Sequence, residues 1–310
     1  MNNPFIFEEI SSLINIGKVL KEVPMSSYTS FKAGGRASVF VEPGSLDELK
    51  DIIYYLNCSD TPYYILGNGT NTLVRDGGYK AVIIHIGEAF AAIKVEGERI
   101  FAGAGALLSS VALRALEYEL SGMEFAGGIP GSVGGAAFMN AGAYDGEMKQ
   151  VVEEVRILSG KGDGEYSLSG GEMEYGYRHS LLMERCDIVL QVRFKTWKGD
   201  GKTIQEKMKD FTIRRNEKQP LRYPSAGSFF KRPPGYFAGK LIEDAGLKGL
   251  SLGGARVSPL HAGFLINEKN ATATEIIQLM EVVQQTVLNN SGILLEPEVR
   301  IIGEDGPGQL

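Results

Sequence analysis

The sequence predicts an α+β protein made of two or three compact units. Three observations carry this prediction. The chain has 310 residues, which exceeds the length of a typical single domain. Strand-like runs alternate with stretches of helical periodicity, and no internal repeat is found. Glycine accounts for 40 of the 310 residues, nearly twice its average share of ~7%, so many backbone positions must turn sharply or approach a neighbour closely.

The charge pattern argues against large anionic partners. The formal net charge is −6, and Lys and Arg form no continuous run. Sequence-independent binding of nucleic acid or of an anionic membrane needs such a run, so we predict neither partner. We expect a small-molecule substrate, and an anionic one would need a local cationic pocket. The sequence leaves the oligomeric state open.

The sequence also predicts a cytoplasmic protein without a metal site. The N-terminus has no positively charged segment before an apolar core, and Glu8 and Glu9 interrupt its short apolar run. The uncharged stretch 125–144 holds six glycines and few bulky aliphatic residues, so we do not expect it to span a membrane. Cys58 and Cys186 lack CxxC spacing and the histidines are scattered, which favours reduced thiols and no bound metal.

The first third of the chain predicts a βα-rich lobe. Apolar residues at helical spacing indicate a helix over residues 7–14, ahead of Pro24. A capping box at 45–48 introduces a second helix, which runs to Leu56. Strand-like runs follow in three places, at residues 63–66, 81–86 and 100–102.

The middle of the chain predicts mixed or antiparallel sheet. A helix over 107–120 ends near Gly122. Two runs at 151–158 and 165–168 flank a glycine-rich turn, which indicates a β-hairpin. A further strand is expected over 187–197.

The last third predicts an α/β domain. A polar break at 198–201 precedes Thr203 and Glu206, which have the spacing of a capping box, so we expect a helix from there to about Glu217. Further elements are expected as a short helix at 239–245, strands near Phe264 and Val299, and a helix from Thr272. The predicted organisation is a helix and lead-in (1–30), a first domain with lobes 31–100 and 101–200, a second domain (201–303) and a loose tail (304–310).

Two glycine-rich loops are the most informative feature of the chain. Residues 67–71 read Gly-Asn-Gly-Thr-Asn and directly follow a predicted strand, and residues 127–135 hold five glycines in an uncharged stretch. Successive main-chain N–H groups in such loops can form an anion-binding concavity. The loops therefore indicate a large phosphate-bearing cofactor, and the alternative is that they are only tight turns.

Two better-known phosphate motifs fit poorly. A Rossmann fingerprint would need a third glycine where the chain has Thr72 or Leu73. Gly201-Lys202-Thr203 resembles the end of a P-loop, but the first glycine of that motif is replaced by Thr196. We interpret this segment as the entry to a helix.

Five motifs in a fixed order give the chain a specific resemblance. They are Leu66-Gly67-Asn68-Gly69-Thr70-Asn71, Ile129-Pro130-Gly131-Ser132-Val133-Gly134, Tyr177-Arg178-His179-Ser180, Ala226-Gly227-Ser228-Phe229-Phe230-Lys231 and Glu296-Pro297-Glu298-Val299-Arg300. Together they resemble the UDP-N-acetylenolpyruvoylglucosamine reductase family over about residues 25–303. The family's longer form inserts a tyrosine-bearing loop after the arginine motif, whereas residues 181–186 here lead straight to Asp187. The chain is therefore similar to the shorter form, and how it closes over a diphosphate stays open.

The resemblance implies a fold and an activity. The fold would be a two-lobed FAD-binding domain of the vanillyl-alcohol-oxidase type, followed by a C-terminal α/β substrate domain. The activity would be reduction of UDP-N-acetylglucosamine enolpyruvate to UDP-N-acetylmuramate, with bound FAD and with NADPH as hydride donor. This reaction belongs to peptidoglycan precursor synthesis, and hence to cell-wall biogenesis, cell shape and cell division. The alternatives are an FAD-dependent oxidase or dehydrogenase of another carbohydrate and a non-catalytic sugar-nucleotide-binding protein.

The resemblance also assigns three catalytic residues whose chemistry suits the reaction. Hydride addition to an enolpyruvyl group leaves negative charge that spreads into the carboxylate, so the site needs donors at those oxygens and a proton source at carbon. Arg178 suits the carboxylate because a guanidinium matches two oxygens and keeps its charge. Ser228 would give the proton, and a protonated Glu298 would hydrogen-bond the carboxylate. Spacing alone does not separate Glu298 from Glu296.

Each catalytic assignment has a plainer alternative: a surface ion pair for Arg178, a turn-capping hydroxyl for Ser228 and a strand-edge carboxylate beside Arg300 for Glu298.

The remaining predicted residues fall into two groups. The predicted cofactor-binding residues are Gly67, Asn68, Gly69, Thr70, Asn71, Ile129, Pro130, Gly131, Ser132, Gly134, Gly135, Asn140 and Gly142. The predicted substrate-binding residues are Tyr177, Lys218, Lys231 and Arg232, with Arg214 and Arg215 as neighbouring candidates.

Overall fold

A computed structural model describes residues 5–306. Residues 1–4 of the predicted lead-in and 307–310 of the predicted tail lie outside the described residues. Helices and strands are mixed along the chain, as the predicted α+β class requires. The helices are α1 Ile6–Leu13, α2 Leu46–Cys58, α3 Leu108–Glu117, α4 Val133–Met139, α5 Met148–Val151, α6 Gly201–Lys218, α7 Ala238–Asp244 and α8 Ala273–Ser291.

The strands are short and follow one another closely. In chain order they are β1 Lys18–Pro24, β2 Arg36–Glu42, β3 Tyr63–Leu66, β4 Thr72–Val74, β5 Tyr79–His85, β6 Ile93–Glu96, β7 Arg99–Gly103, β8 Leu120–Ser121, β9 Gly142–Ala143, β10 Gly146–Glu147, β11 Val152–Leu158, β12 Glu165–Ser169, β13 Ile188–Lys195, β14 Trp197–Lys198, β15 Ser251–Leu252, β16 Ala255–Val257, β17 Leu265–Asn267 and β18 Arg300–Ile302.

The chain forms two compact units, each assembled from separate segments. The first contains residues up to Lys21 together with Val39–Asn68 and Ala81–Arg215. The second contains Glu22–Ser38, Gly69–Lys80 and the residues from Asn216 onward. Each unit has its own cluster of buried apolar side chains. The predicted domain limits at 31–200 and 201–303 stay a prediction.

The first unit contains a five-stranded sheet. Its order is β12-β11-β13-β7-β6, and all its neighbouring strands are antiparallel. The predicted hairpin is confirmed within it, because β11 and β12 pair in register from Glu154 opposite Ser169 to Leu158 opposite Glu165. A four-stranded sheet has the order β1-β2-β5-β3. The first unit contains its strand β3 and residues 82–85 of β5, and these pair in parallel. The loop that follows β3 therefore emerges at the carboxyl end of a parallel strand.

The capping residues decide where two helices of the first unit begin. At α2, the predicted N-cap Ser45 is confirmed, since its side chain accepts from the Glu48 amide at 3.2 Å. At α6 the prediction is wrong: Asp200 caps the helix, accepting from the amide of Thr203 at 2.8 Å. A carboxylate one turn earlier out-competes the hydroxyl of Thr203, so the helix starts at Gly201.

Glu48 has a second role at the start of α2. Its carboxylate is only 5% exposed and accepts from the amides of Asn15, Ile16, Gly17 and Gly44. Burial alone would raise the pKa of Glu48, but these N–H donors outweigh it, so the pKa lies below its ordinary value. One ionised side chain thus ties two loops to a helix N-terminus.

The second unit combines a small sheet with two helices. Strands β15, β16 and β17 form an antiparallel sheet, and α7 and α8 contribute buried residues to the same apolar cluster. The predicted capping box at the start of α8 is confirmed for Thr272 and Glu275. Asp76 also accepts from the amides of Ala273 and Thr274, at 3.0 and 2.8 Å. Over residues 5–306, every helix is too short or too polar to traverse a lipid bilayer.

Candidate active site

The two glycine-rich loops meet in the first unit. A Cβ built on Gly67 would lie 2.4 Å from Oγ of Ser132, so the first loop approaches the second closely enough that a side chain at position 67 would displace this hydroxyl. Ser132 is nearly buried and caps α4, accepting from the amide of Gly135 at 3.3 Å. The helix α4 was not expected within the glycine-rich stretch. Gly and Ala fill it because its residues pack tightly, and a Cβ on Gly134 would lie 3.0 Å from the Cβ of Ala104.

These loops leave main-chain donors unused. Among the residues the structure describes, the amides of Gly67, Asn68, Gly131 and Ser132 donate to no protein acceptor. Unpartnered N–H groups on adjoining loops are the donor set that binds a diphosphate. The residues present therefore fit a dinucleotide cofactor.

Arg215 adds a cation beside the second loop. A Cβ built on Gly128 would lie 3.6 Å from Nη1 of Arg215. Within residues 5–306 this side chain has no ion pair, and burial lowers the pKa of its guanidinium from the ordinary value. One helical turn earlier, Phe211 stacks on Tyr144 with ring centroids 4.6 Å apart. Phe211 and Arg215 have i, i+4 spacing and therefore share one face of α6. This spacing is the sequence signal by which the position of Arg215 near the loop could have been predicted.

Arg178 lies at the tip of a two-residue turn in the first unit. Gly176 and His179 close the turn through hydrogen bonds between their main chains at 3.1 and 3.3 Å. Arg178 has φ +52°, a left-handed conformation that is uncommon for a residue with a side chain. Its Nη2 donates to the carbonyl of Gly142 at 3.4 Å, and Cζ lies 5.1 Å from the centroid of the exposed Tyr177 ring. The structure thus brings Tyr177, Arg178 and Gly142 together.

Asn140 differs in its surroundings from the other predicted cofactor-binding residues. None of its surface is exposed, and its polar side-chain atoms are all bonded within the protein. The side chain therefore has no free surface to offer a cofactor, because it holds neighbouring main chain instead.

Ser228 and Glu298 are neighbours in the second unit. The amide of Glu298 donates to the carbonyl of Phe229 at 2.8 Å, and the amide of Lys231 donates to the carbonyl of Glu296 at 2.8 Å. The segment after Ser228 therefore runs antiparallel to the segment 296–298. Ser228 itself is exposed, whereas Phe229 beside it is fully buried. The buried ring anchors the loop, so the hydroxyl is held at the surface close to the Glu298 segment.

The two glutamates that spacing could not separate have different environments. Glu296 has a side chain 70% exposed and forms an ion pair with Lys231, Nζ to Oε2 at 3.4 Å. Glu298 is partly buried. The side chain of Asn71 donates to the carbonyl of Glu298 at 3.0 Å, and Asn71 O accepts from the amide of Arg300 at 3.0 Å. Asn71 thus holds the main chain at Glu298 and Arg300 in place through hydrogen bonds.

Of the remaining predicted residues of the second unit, Gly69 is buried, whereas Lys218 and Arg232 are exposed. Gly69 has φ +62°, and a Cβ there would lie 1.9 Å from the carbonyl oxygen of Tyr28, so only glycine fits. Lys218 is exposed at the end of α6. Arg232 lies over the ring of Phe237, with Cζ 3.9 Å from the centroid.

Comparison with known proteins identifies the family. The model of an FAD binding domain matches residues 37–165, and that of the UDP-N-acetylenolpyruvoylglucosamine reductase C-terminal domain matches residues 219–302. A UDP-N-acetylenolpyruvoylglucosamine reductase from Caldanaerobacter subterraneus subsp. tengcongensis is 49% identical over 299 residues, covering 96% of this chain and 98% of the relative. The chain belongs to the UDP-N-acetylenolpyruvoylglucosamine reductases. A relative of the same name from Clostridium novyi is 47% identical over 97% of each chain.

A solved structure of the family agrees with the fold. The crystal structure of UDP-N-acetylenolpyruvylglucosamine reductase from Thermus caldophilus is 34% identical, with a TM-score of 0.79, over 92% of this chain and 98% of that one. The predicted fold class, an FAD-binding domain followed by the C-terminal domain of this reductase family, is thereby confirmed. The glycine-rich loop from Gly127 lies within the matched FAD-binding segment, and the Arg178 turn follows the end of that segment. Ser228 and Glu298 fall within the matched C-terminal domain.

Proposed function

We propose that this chain catalyses the NADPH-dependent reduction of UDP-N-acetylglucosamine enolpyruvate to UDP-N-acetylmuramate, with FAD as its bound cofactor. Membership of the reductase family along nearly the whole chain is the observation that carries the proposal. The reaction supplies a precursor of peptidoglycan, so the protein would act in the cytoplasm and serve cell-wall formation, cell shape and division.

Main-chain donors of the glycine-rich loops would hold the cofactor. The unpartnered amides of Gly67, Asn68, Gly131 and Ser132 suit its diphosphate, and Arg215 supplies a nearby positive charge. When bound, FAD accepts a hydride from NADPH and supplies it to the terminal vinyl carbon of the substrate.

Arg178 would neutralise the charge that develops on the substrate. As hydride reaches the vinyl carbon, electron density moves toward the carboxylate, and a guanidinium can donate two parallel hydrogen bonds to its oxygens. The turn presents this side chain at its tip, although the positive φ of Arg178 is unfavourable. Such strain persists where surrounding contacts hold it in place and is frequent at functional sites.

Ser228 and Glu298 would complete the reaction. The Ser228 hydroxyl gives its proton to the carbon next to the carboxylate, and the resulting alkoxide is reprotonated from solvent, for which the exposure of Ser228 leaves a path. Glu298 in its protonated form donates a hydrogen bond to the substrate carboxylate. The partial burial of Glu298 and the ion pair of Glu296 with Lys231 support Glu298 for this role.

The substrate diphosphate needs cations of its own. We assign this role to Lys218 and Arg232, and the phenol of Tyr177 would add a neutral hydrogen-bond donor, because all three side chains are exposed. Lys231 can contribute once the substrate replaces Glu296 as its partner. In the same proposal, residues 31–200 form the cofactor-binding domain and 201–303 the substrate-binding domain, while Arg178 and Tyr177 of the first also act on the substrate and Arg215 of the second lies beside the cofactor loop.

Rapid mixing of the purified holoenzyme would test the function. We expect yellow protein whose flavin absorbance is bleached by NADPH and restored without oxygen by UDP-N-acetylglucosamine enolpyruvate. Oxidised enzyme that is bleached by another carbohydrate and then passes the electrons to O₂, forming peroxide, would instead be an oxidase. Protein that is colourless as purified and does not bind added FAD would contradict the proposal altogether.

A further inference from the structure

A buried asparagine connects the cofactor loop to the arginine turn. Asn140 ends α4 in the left-handed conformation, with φ +46°, and is completely buried. Its Nδ2 donates to the carbonyl of Gly176 at 2.8 Å and to Oε2 of Glu147 at 3.0 Å, while its Oδ1 accepts from the amide of Lys149 at 2.9 Å. Gly176 is the first residue of the turn that carries Arg178.

A second buried side chain fastens the other arm of the same turn. Ser180 is fully buried, and its hydroxyl donates to the carbonyl of Phe138 at 2.7 Å. Phe138 lies in the last turn of α4. The turn is therefore attached on both sides, by Asn140 before Arg178 and by Ser180 after it, to the C-terminal end of one helix.

The opposite end of α4 begins at Ser132, which contacts Gly67 of the first glycine-rich loop. A helix of this length spans about 10 Å. A rigid element of that size can fix the distance between a cofactor loop and the arginine more exactly than two independent loops can. Misplacement of a charged group by about 1 Å lowers a rate by about 10²-fold.

We propose that Asn140, supported by Ser180, is a positioning residue that holds Arg178 in its left-handed conformation and so sets the guanidinium against the substrate carboxylate. The inference rests on the proposed function, and specifically on the role of Arg178. A non-glycine residue at positive φ costs about 1 kcal/mol or more, so the turn needs outside contacts to keep that conformation. The hydrogen bonds from Asn140 and Ser180 are such contacts, and both of those side chains are buried.

The test is Asn140→Gly in the holoenzyme. Glycine accepts the positive φ at this position, so the variant removes the side chain without adding backbone strain. We expect reoxidation of the reduced flavin by UDP-N-acetylglucosamine enolpyruvate to slow by about 10- to 10²-fold, the usual size of such supporting effects. Flavin content and the rate of bleaching by NADPH should stay at the wild-type level, because Arg178 takes no part in that step.

A double-mutant cycle with Arg178→Lys separates positioning from general stability. If Asn140 acts only by way of Arg178, adding Asn140→Gly to Arg178→Lys slows reoxidation no further. If the double variant is slower than Arg178→Lys by the full factor that Asn140→Gly causes alone, the inference is overturned. Loss of flavin, or equal slowing of both half-reactions, would overturn it as well. Asn57→Ala is the matched control. Nδ2 of Asn57 also donates to a glycine carbonyl in the same unit, that of Gly160, at 2.9 Å. This variant should change the rate of neither half-reaction.

Two further outcomes are distinguishable. If Asn140→Gly does not fold, Ser180→Ala decides the question by the same cycle, since it removes the second attachment and leaves the backbone conformation of residue 140 intact. Wild-type enzyme that is never reoxidised by the enolpyruvyl substrate would refute the proposed function. Normal wild-type reoxidation together with an unaffected Asn140→Gly variant would refute only the role of Asn140.

Discussion

The contact between Gly67 and Ser132 gives a quantitative test of cofactor binding. In Gly67→Ala, the new methyl group would lie 2.4 Å from Oγ of Ser132, closer than real side chains approach. The hydroxyl must rotate away, because the neighbouring Cβ of Ser132, at 3.6 Å, is already in ordinary contact. Rotation breaks the hydrogen bond from the amide of Gly135 that caps α4.

The size of the effect follows from that single bond. Loss of an N-terminal cap costs about 1 kcal/mol, which corresponds to about a fivefold change in a dissociation constant. The cap fixes the loop whose free amides at Gly131 and Ser132 are proposed to bind FAD. We therefore expect Gly67→Ala to raise the Kd for FAD about fivefold, and Ser132→Ala to raise it by a similar factor.

The assay is a titration of apoprotein with FAD, followed by quenching of flavin fluorescence. Gly164→Ala is the control, because a Cβ there meets nothing within 4 Å and its φ is not in the left-handed region. In the double variant Gly67→Ala/Ser132→Ala the two defects should not add, since both remove the same cap. Additive losses, or unchanged affinity in Gly67→Ala, would refute the reasoning.

Three other predictions follow from single side chains. Ser228→Ala should leave NADPH bleaching intact and slow reoxidation by the enolpyruvyl substrate about 10²-fold or more, measured by rapid mixing; normal reoxidation would remove the hydroxyl from catalysis. Glu298→Gln should slow the same step, whereas Glu296→Gln, which breaks only the exposed ion pair with Lys231, should not; the reverse order would transfer the role to Glu296. Glu48→Gln should lower the free energy of unfolding in urea by about 1–3 kcal/mol at pH 7. Because the folded state lowers the pKa of Glu48, this difference should persist above the unfolded pKa of about 4.3 and disappear as pH falls through the folded value; a pH-independent difference would contradict it.

The sequence predicted best what local chemistry determines. The hairpin between β11 and β12 and the capping box at Thr272 depend on residues within a few positions of one another, and both are confirmed. The glycine-rich loops were also interpretable, because missing side chains leave few explanations other than close approach or backbone binding. Family membership then followed from motifs that are short and ordered.

The parts that were missed depend on packing between distant segments. A helix within the glycine-rich stretch has poor intrinsic propensity, and α4 forms because Ser132 caps it and its small residues pack against Ala104. Asn140 was predicted only as one of the cofactor-binding residues. Its true partners are at Gly176, Glu147 and Lys149, and no periodic pattern reveals them.

The parallel pairing of β4 with β18 has a consequence for biosynthesis. It places Leu73 opposite Ile301 and Val74 opposite Ile302, and both Leu73 and Val74 are fully buried. A chain emerging from the ribosome carries β4 long before its partner is made, so these apolar side chains remain exposed until residues 300–302 have been synthesised. Nascent chains that stall before Arg300 should therefore be prone to aggregation and dependent on chaperones, even where the first unit has already folded.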